Sequence, residues 1–283
     1  MKVAVVGASG GMGSFFVRYF QSRGDAVRGS DVGGGPRPQG TVAFSESNAE
    51  AVEGCDVAVL AVPMDRTLKV AREVVPALKK GAVLVEISSV KGETIQAVKK
   101  VVGRRASLLS IHPLFGPALE SPKGMKIAVI TGKKGREAAT ARALFPDARI
   151  IPMGRKEHDK AMAVVLTLTH IVNLAYAGTV ARFLSPAEFM RVSTPNSSMQ
   201  LTLAEAVLAQ DSGLSFAIQA NNPYSRKVVR AAARELRRVL SMVEDSDGKA
   251  FAQNFSRLAK LYGTDRRAKA VVREIYSAAE RAA

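Results

Sequence analysis

Residues 1–13 read Met-Lys-Val-Ala-Val-Val-Gly-Ala-Ser-Gly-Gly-Met-Gly, and this stretch decides the fold. The apolar run from Lys2 to Val6 predicts a buried strand, and the glycine-rich turn after it leads into an amphipathic segment that extends to about Arg23. Strand, glycine turn and helix form the opening of a βαβ unit. We therefore expect a Rossmann-type, dinucleotide-binding domain at the start of the chain.

The same alternation continues through the first half of the sequence. Further strands are predicted at 26–30, 57–62, 82–87, 108–110, 127–130 and 150–151, and helices at 66–79, 93–102 and 138–144. Alternating strands and helices predict an α/β fold with a doubly wound, mainly parallel sheet. We assign residues 1–153 to this domain.

The second half has a different character, because strand patterns stop after about Gly154. Helices are predicted at 157–182, 199–209, 213–220, 224–243, 248–262 and 266–281. The first of these is apolar at most positions and is expected to be a buried central helix. Residues 154–283 therefore form an all-α domain for substrate binding and dimerisation. The domain is too small to enclose that helix, so we expect a homodimer.

Composition limits the classes of function. The 283 residues carry 41 Lys+Arg against 25 Asp+Glu, a formal charge of +16, but the basic residues are dispersed over helical segments. This pattern argues against a nucleic-acid arm and favours attraction of a small anionic substrate. The single cysteine, Cys55, offers neither a disulfide nor a zinc site, and no metal is expected. With no uninterrupted run of about 20 apolar residues and no signal peptide, a cytoplasmic protein that does not enter the membrane is expected.

The glycine turn predicts a site for the cofactor's pyrophosphate. Its spacing is G-x-x-G-x-x-G, since Ser9 stands where a middle glycine is usual. Glycines still permit a tight turn, close approach of backbone N–H groups to phosphate and close packing of the helix on the sheet. An ordinary tight loop is the alternative, which the flanking strand and helix disfavour. The predicted contacts are Gly7, Ser9, Gly10, Gly11, Met12 and Gly13.

Other cofactor contacts are expected at the carboxyl ends of the next strands. Asp31 follows Gly13 by 18 residues, near the position of a carboxylate that bonds the adenosine ribose. A carboxylate repels a 2′-phosphate, so NAD is predicted ahead of NADP, although Arg37 lies close enough in sequence to receive a phosphate. Val62, Pro63 and Ser88 would border the same crevice.

His112 is the candidate proton acceptor. It opens the hexapeptide His-Pro-Leu-Phe-Gly-Pro and is one of three histidines in the chain. Hydride removal from an alcohol carbon requires the hydroxyl proton to leave as well, and a neutral imidazole can take it. A packed or capping histidine before a proline turn is the structural alternative.

Five segments in order resemble the prephenate dehydrogenase family. They are Gly11-Met12-Gly13, Val62-Pro63, Ser89-Val90-Lys91, His112 to Gly116, and Glu157-His158-Asp159. The resemblance spans roughly residues 2–215. It implies NAD(P)-dependent oxidative decarboxylation of prephenate to 4-hydroxyphenylpyruvate, in tyrosine biosynthesis. It also implies that His112 takes the C4 hydroxyl proton and that Ser89 bridges this histidine, the hydroxyl and the nicotinamide.

The resemblance extends to the helical domain, with one departure. His170 is expected in the substrate pocket. His158 is expected to make only a hydrogen bond at its helix start, and a link between the two domains is the alternative. Ser198 and Ala206 stand where the family carries arginines that pair with substrate carboxylates. A replacement could come from the partner subunit or from nearby polar residues, namely Arg191, Ser197, Ser198 and Gln200. Alternatively the substrate is arogenate or 4-amino-4-deoxyprephenate.

Two other readings remain open at this point. β-Hydroxyacid dehydrogenases and pyrroline carboxylate reductases share the Rossmann-plus-helical plan, but they would lead us to expect a catalytic lysine on the helix near 158–174 or a different strand-end motif. Only Lys160 lies there. A nucleotide-sensing or nucleic-acid-binding protein would use the same fold and the basic charge, and it would bind cofactor without turnover.

Overall fold

The computed structural model describes residues 1–39, 43–132, 135–262 and 270–277. These residues form two compact units. The first contains residues 1–162 together with 217–223, and the second contains the described parts of 163–216 and 224–283. We predicted the domain boundary after residue 153; in the structure the first unit continues to Met162.

The first unit is built on an eight-stranded sheet in the order β3-β2-β1-β4-β5-β6-β7-β8. All neighbours are parallel except β6 and β7. The predicted fold class is thereby confirmed. The short edge strand β3 was not predicted. The strands are β1 (Lys2–Val6), β2 (Ala26–Ser30), β3 (Ala43–Ser45), β4 (Val57–Leu60), β5 (Val83–Glu86), β6 (Ser107–Pro113), β7 (Lys126–Ile130) and β8 (Arg149–Met153).

Helices cover both faces of this sheet. One face carries an apolar core with α1 and α5, and the other carries a second core with α2, α3 and α4. Because β1 packs on both faces, Val3 to Val6 are fully buried. The helices of this part of the chain are α1 (Gly11–Ser22), α2 (Asn48–Val52), α3 (Thr67–Val74), a 3₁₀ turn (Val75–Ala77), α4 (Glu93–Val102), α5 (Arg136–Leu144) and α6 (Arg155–Met162).

The remaining elements are helical, as predicted. A π-helical segment (Ala163–Leu168) continues α6 into α7, and residues 270–277 are also helical. The predicted helix at 266–281 falls in part on 263–269 and 278–281, which lie outside the described residues. The other helices are α7 (Thr169–Phe183), α8 (Pro186–Val192), α9 (Pro195–Leu208), α10 (Ser212–Asn221), α11 (Ser225–Glu244) and α12 (Gly248–Tyr262).

The prediction that the helix at 157–182 is buried is wrong for a single chain. Val164, Val165, Val172 and Leu174 are 46–54% exposed. By length and composition the continuous helix Arg155–Phe183 would suffice to cross a membrane, with a mean hydropathy of 1.5 and only 28% of its most apolar stretch buried. The part of the chain that the structure describes therefore leaves apolar surface of this helix uncovered.

Candidate active site

The glycine turn between β1 and α1 is packed so closely that side chains are excluded. Gly7 has φ +81°, and a Cβ there would lie 2.4 Å from the carbonyl oxygen of Ala61. A Cβ on Gly13 would lie 1.9 Å from the carbonyl oxygen of Gly7. These two glycines therefore set the tight turn and the close approach of α1 to the sheet, as predicted.

The start of α1 presents unsatisfied hydrogen-bond donors. Within the described residues, the backbone N–H groups of Gly11, Met12 and Gly13 have no hydrogen-bond acceptor, and Gly10 provides no side-chain cap. The hydroxyl of Ser9 is buried, and none of the described residues hydrogen-bonds to it. Orphan donors at a helix N-terminus suit a phosphate group, and the orphaned hydroxyl adds another polar contact. The turn therefore fits the pyrophosphate of a dinucleotide.

Asp31 lies just beyond the carboxyl end of β2, beside this turn. Its carboxylate accepts hydrogen bonds from the backbone N–H of Ser9 at 3.2 Å and of Gly33 at 3.0 Å. The carboxylate therefore joins the glycine turn to the loop after β2, in the position predicted for a ribose contact.

A cavity of about 660 Å³ connects these elements. Gly7, Gly10, Asp31, Val62 and Pro63, all predicted from the sequence, line it. The volume and the mixed apolar and polar lining fit an adenosine moiety. Two cationic residues that line the cavity were not predicted, because a lone basic residue gives no motif. They are Arg66, directly before α3, and Lys69 within α3.

His112 lies on β6, whose carboxyl end is at the same edge of the sheet as the glycine turn. The loop that follows packs over α1: Phe115 contacts the ring of Phe15 edge-on, and Arg18 donates to the carbonyl of Pro117 at 3.3 Å. A Cβ on Gly11 would lie 3.0 Å from the Pro117 ring. The hexapeptide is therefore held against the glycine turn and α1.

The imidazole of His112 is held by a second histidine. Its Nδ1 lies 3.0 Å from Nε2 of His158, and Nδ1 of His158 lies 2.9 Å from Oδ1 of Asp159. The carboxylate can only accept, so His158 carries its proton on Nδ1 and accepts at Nε2 from Nδ1–H of His112. The Nε2 atom of His112 is then an unprotonated acceptor, with no hydrogen bond inside the described residues.

The prediction that His158 makes only a hydrogen bond at its helix start is wrong. Its side chain is fully buried and fixes the tautomer of His112. The Glu-His-Asp motif contained this information, but sequence alone does not show that α6 packs against β6.

The environment keeps His112 neutral. The side chain is 5% exposed, and burial holds its pKa well below the usual value, with smaller contributions from Lys91 and His158. A neutral imidazole with a free Nε2 can act as a general base at neutral pH.

The two adjacent serines differ in their side-chain hydrogen bonds. Ser88 bonds Glu86 with its hydroxyl and its backbone N–H, and its hydroxyl also contacts the carbonyl of Val90 at 3.1 Å. Ser89 is half-buried and makes no side-chain hydrogen bond within the described residues. The hydroxyl of Ser89 is therefore available to a ligand. The hydroxyl of Ser88 is already hydrogen-bonded to Glu86, so it is less available to a cofactor.

The four predicted substrate residues lie in the helical unit. Nδ1 of His170 is 3.2 Å from the hydroxyl of Ser215, and burial lowers the pKa of this histidine. Gln200 donates to Asn173 at 2.8 Å. Ser198 is half-buried, and Arg191 is exposed in the last turn of α8, with no carboxylate within 4.0 Å among the described residues. His170 on α7 and Gln200 on α9 thus each make a side-chain hydrogen bond within the helical unit.

In the part of the chain that the structure describes, no group of three or more His, Cys, Asp or Glu side chains could hold a metal ion. Cys55 is buried, and burial raises the pKa of its thiol.

Two protein-family models match the chain. Prephenate dehydrogenase, nucleotide-binding domain, matches residues 19–134, and prephenate dehydrogenase, dimerization domain, matches residues 155–257. The first match begins within α1 and does not include the glycine turn, so the fit of that turn to a phosphate group is supported by its geometry alone.

Curated relatives agree with these matches. A probable arogenate/prephenate dehydrogenase of Methanocaldococcus jannaschii is 23% identical over 275 residues, covering 94% of this chain and 62% of the relative. A 4-amino-4-deoxyprephenate dehydrogenase of Streptomyces pristinaespiralis is 27% identical over 276 residues, covering 93% of this chain and 91% of the relative. The chain thus spans less than two thirds of the archaeal relative.

A solved structure shares the fold. Prephenate dehydrogenase from A. aeolicus, in complex with hydroxyphenyl propionate and NAD+, matches with a TM-score of 0.75 at 18% identity. The match covers 94% of this chain and 98% of that chain.

Proposed function

This chain belongs to the prephenate dehydrogenase family, and we propose that it catalyses the NAD(P)-dependent oxidative decarboxylation of prephenate to 4-hydroxyphenylpyruvate in tyrosine biosynthesis. One observation carries the proposal. His112 is held at Nδ1 by His158, and its Nε2 has no hydrogen-bond partner among the described residues. It lies on a strand whose end is at the sheet edge of the glycine turn. A fixed neutral base beside a dinucleotide site is what oxidation of an alcohol requires.

The first half of the reaction occurs at C4 of the ring. Bound NAD(P) supplies a hydride acceptor. Nε2 of His112 accepts a hydrogen bond and then the proton from the C4 hydroxyl, as C4 becomes a carbonyl carbon. We propose that the hydroxyl of Ser89 bridges this histidine, the substrate oxygen and the nicotinamide, as the family resemblance implies.

The second half uses the carbonyl as an electron sink. The bond between the ring and its carboxylate breaks, its electron pair enters the ring, and the ring becomes aromatic with release of carbon dioxide. The former carbonyl oxygen gains negative charge and takes back the proton held by His112. The base is thereby regenerated without a proton from solvent.

We propose NAD as the preferred cofactor. The carboxylate of Asp31 lies in the cavity that fits adenosine and would repel a 2′-phosphate. Arg66 and Lys69 in the same cavity favour phosphate and make NADP the alternative.

Two other compounds are alternative candidates for the substrate. Ser198 and Ala206 replace the arginines expected for substrate carboxylates, and one curated relative of nearly the same length acts on 4-amino-4-deoxyprephenate. That compound, with an amine at C4, and arogenate, with an amino acid side chain, would use the same hydride transfer. The absent arginines are the observation that keeps both in the comparison.

We also propose a homodimer formed through the helical unit. On α11, Leu236, Leu240 and Val243 form one exposed stripe at helical spacing, and Phe251 and Phe255 extend an exposed apolar surface on α12. A second copy would cover these faces, in keeping with the match to a dimerization domain.

A turnover panel tests the proposed reaction. NADH formation would be followed with prephenate, arogenate and 4-amino-4-deoxyprephenate in parallel, for the wild type and for His112→Asn. We expect turnover of prephenate and a loss of kcat by roughly 10³-fold in the variant, with NAD binding unchanged. No turnover of any of the three compounds would overturn the proposed reaction, and undiminished turnover in the variant would overturn the role of His112.

A further inference from the structure

Beneath His112 lies a buried ion pair that the mechanism above does not use. We infer that Lys91 is a positioning residue for His112. Lys91 holds His112 through two separate connections and places a buried positive charge near its imidazole. This inference rests on the proposed function, because it assigns a purpose to the state in which His112 waits for substrate.

Lys91 and Glu86 form a buried, hydrogen-bonded ion pair. Neither side chain is exposed, and Nζ of Lys91 lies 2.8 Å from Oε2 of Glu86. The same oxygen accepts from the hydroxyl of Ser110 at 2.8 Å, and the other carboxylate oxygen accepts from Ser88. Burial lowers the pKa of Lys91, whereas the charge and hydrogen bond of Glu86 and the charge of Asp159 oppose that shift and favour the charged ammonium.

The first connection to His112 runs through the strand. Nζ of Lys91 donates to the carbonyl oxygen of Ile111 at 2.6 Å, and Ile111 directly precedes His112 on β6. This charge-assisted hydrogen bond fixes the peptide from which the imidazole projects.

The second connection runs through α6. The backbone N–H of Lys91 donates to Oδ1 of Asp159 at 2.8 Å. That same oxygen accepts from Nδ1 of His158, whose Nε2 accepts from His112. Lys91 therefore orients the carboxylate that sets the tautomer of both histidines.

The charge of Lys91 matters as well as its hydrogen bonds. After burial, Lys91 is the next cause that lowers the pKa of His112, and His158 follows. Ala128, which pairs with His112 on β7, carries no charge. The ionisable groups around the imidazole are Lys91 from the segment between β5 and α4, Glu86 from β5, and His158 and Asp159 from α6.

The consequence is a base that takes a proton only briefly. A nearby cation disfavours the imidazolium, so His112 is neutral before the reaction and readily returns its proton afterwards. Removal of the Lys91 charge would raise the pKa of His112. The acid limb of kcat/KM, which reports protonation of the free base, would then move to higher pH.

The test replaces the ion pair with a neutral pair of similar size, Glu86→Gln with Lys91→Met. We expect kcat to fall about 10-fold through loss of positioning. We also expect the acid limb of kcat/KM to move up by roughly 0.5 to 1 pH unit. The control is Lys79→Met, which removes the lysine of a surface pair with Asp56 (Nζ to Oδ1, 2.7 Å) and should leave both quantities unchanged.

A scaffold role alone predicts a different result. If the double variant folds and binds NAD but its acid limb coincides with that of the wild type, the inference is overturned. If that pair does not fold, Glu86→Leu with Lys91→Met gives an apolar replacement to be judged by the same criterion. NMR titration of the His112 imidazole in the same variants measures its pKa without substrate, so the inference is tested even if the proposed reaction fails.

Discussion

The two units of the molecule differ in how completely each one buries its apolar residues. Among the described residues of the first unit, the exposed large apolar side chains are Met1, Val32 and Met125. The helical unit has few buried hydrophobic residues among those described, namely Ala163, Leu201, Ala204 and Met242, while it exposes Phe183, Phe216, Leu236, Phe255, Leu261 and Tyr262. The first unit therefore has its own core, whereas the second requires another surface.

This difference assigns different work to the two parts. The candidate base, the residues that orient it and the cavity proposed for the cofactor all lie in the unit that buries its own core, where hydrogen bonds hold the side chains in place. The predicted substrate contacts lie in the unit with exposed apolar faces, so we expect substrate binding to depend on assembly.

The largest effect is expected in the glycine turn. Gly13→Ala would place a methyl group 1.9 Å from the Gly7 carbonyl oxygen, which the packed turn cannot absorb. We expect a loss of about 3 kcal/mol or more in the free energy of unfolding, or loss of NAD binding. Gly248→Ala, at the start of α12, meets no atom within 4 Å and should change the unfolding free energy by less than about 0.5 kcal/mol. Denaturant unfolding measures both variants. Equal losses of unfolding free energy in Gly13→Ala and Gly248→Ala would contradict the contrast between the units.

A somewhat smaller effect is expected at the exposed stripe of α11. Leu240→Glu would place a charge in the proposed dimer interface and should weaken association by about 100-fold. Analytical ultracentrifugation measures the change. Met125→Glu, an equivalent substitution on the first unit, should leave the dimer intact. A monomeric wild type would contradict the dimer proposal and leave the apolar helices without the cover assigned to them.

The next effect concerns the orientation of the base. His158→Phe would remove the acceptor of His112 Nδ1–H while keeping an aromatic ring in the same space. We expect kcat to fall by about 10- to 100-fold with little change in KM, because only the tautomer and orientation of His112 are lost. A change confined to KM would indicate that His158 contacts substrate instead.

The smallest effect is expected for cofactor choice. Asp31→Asn removes the charge that opposes a 2′-phosphate but keeps an acceptor for the N–H groups of Ser9 and Gly33. We expect the ratio of kcat/KM for NAD over NADP to fall by about 10-fold. An unchanged ratio would shift the assignment to Arg66 and Lys69.

Much of the first unit could be predicted from sequence because its signals are local. The strand, turn and helix at residues 2–23 follow from periodicity and glycine, and helix α4 was predicted with its observed bounds. The edge strand Ala43–Ser45 was missed because three residues give no periodicity. Its pairing with β2 arises from the tertiary fold.

The candidate site was only partly predictable, because its interactions join distant segments. His112 could be found from its motif and the family resemblance. The roles of His158, Asp159 and Lys91 depend on α6 packing against β6 and on a buried ion pair, and no spacing in the sequence encodes those contacts. The exposure of the long helix was missed for a related reason, since an apolar helix buried within one chain and one buried between two chains have the same pattern.

The central claim is that His112 waits as a neutral base with its proton on Nδ1 and a free Nε2. Long-range ¹⁵N NMR correlation of the histidine rings in the wild type at pH 7 observes this state directly, with His112→Asn used for assignment. We predict a neutral ring protonated at Nδ1. A ring protonated at Nε2, or at both nitrogens, would contradict the account.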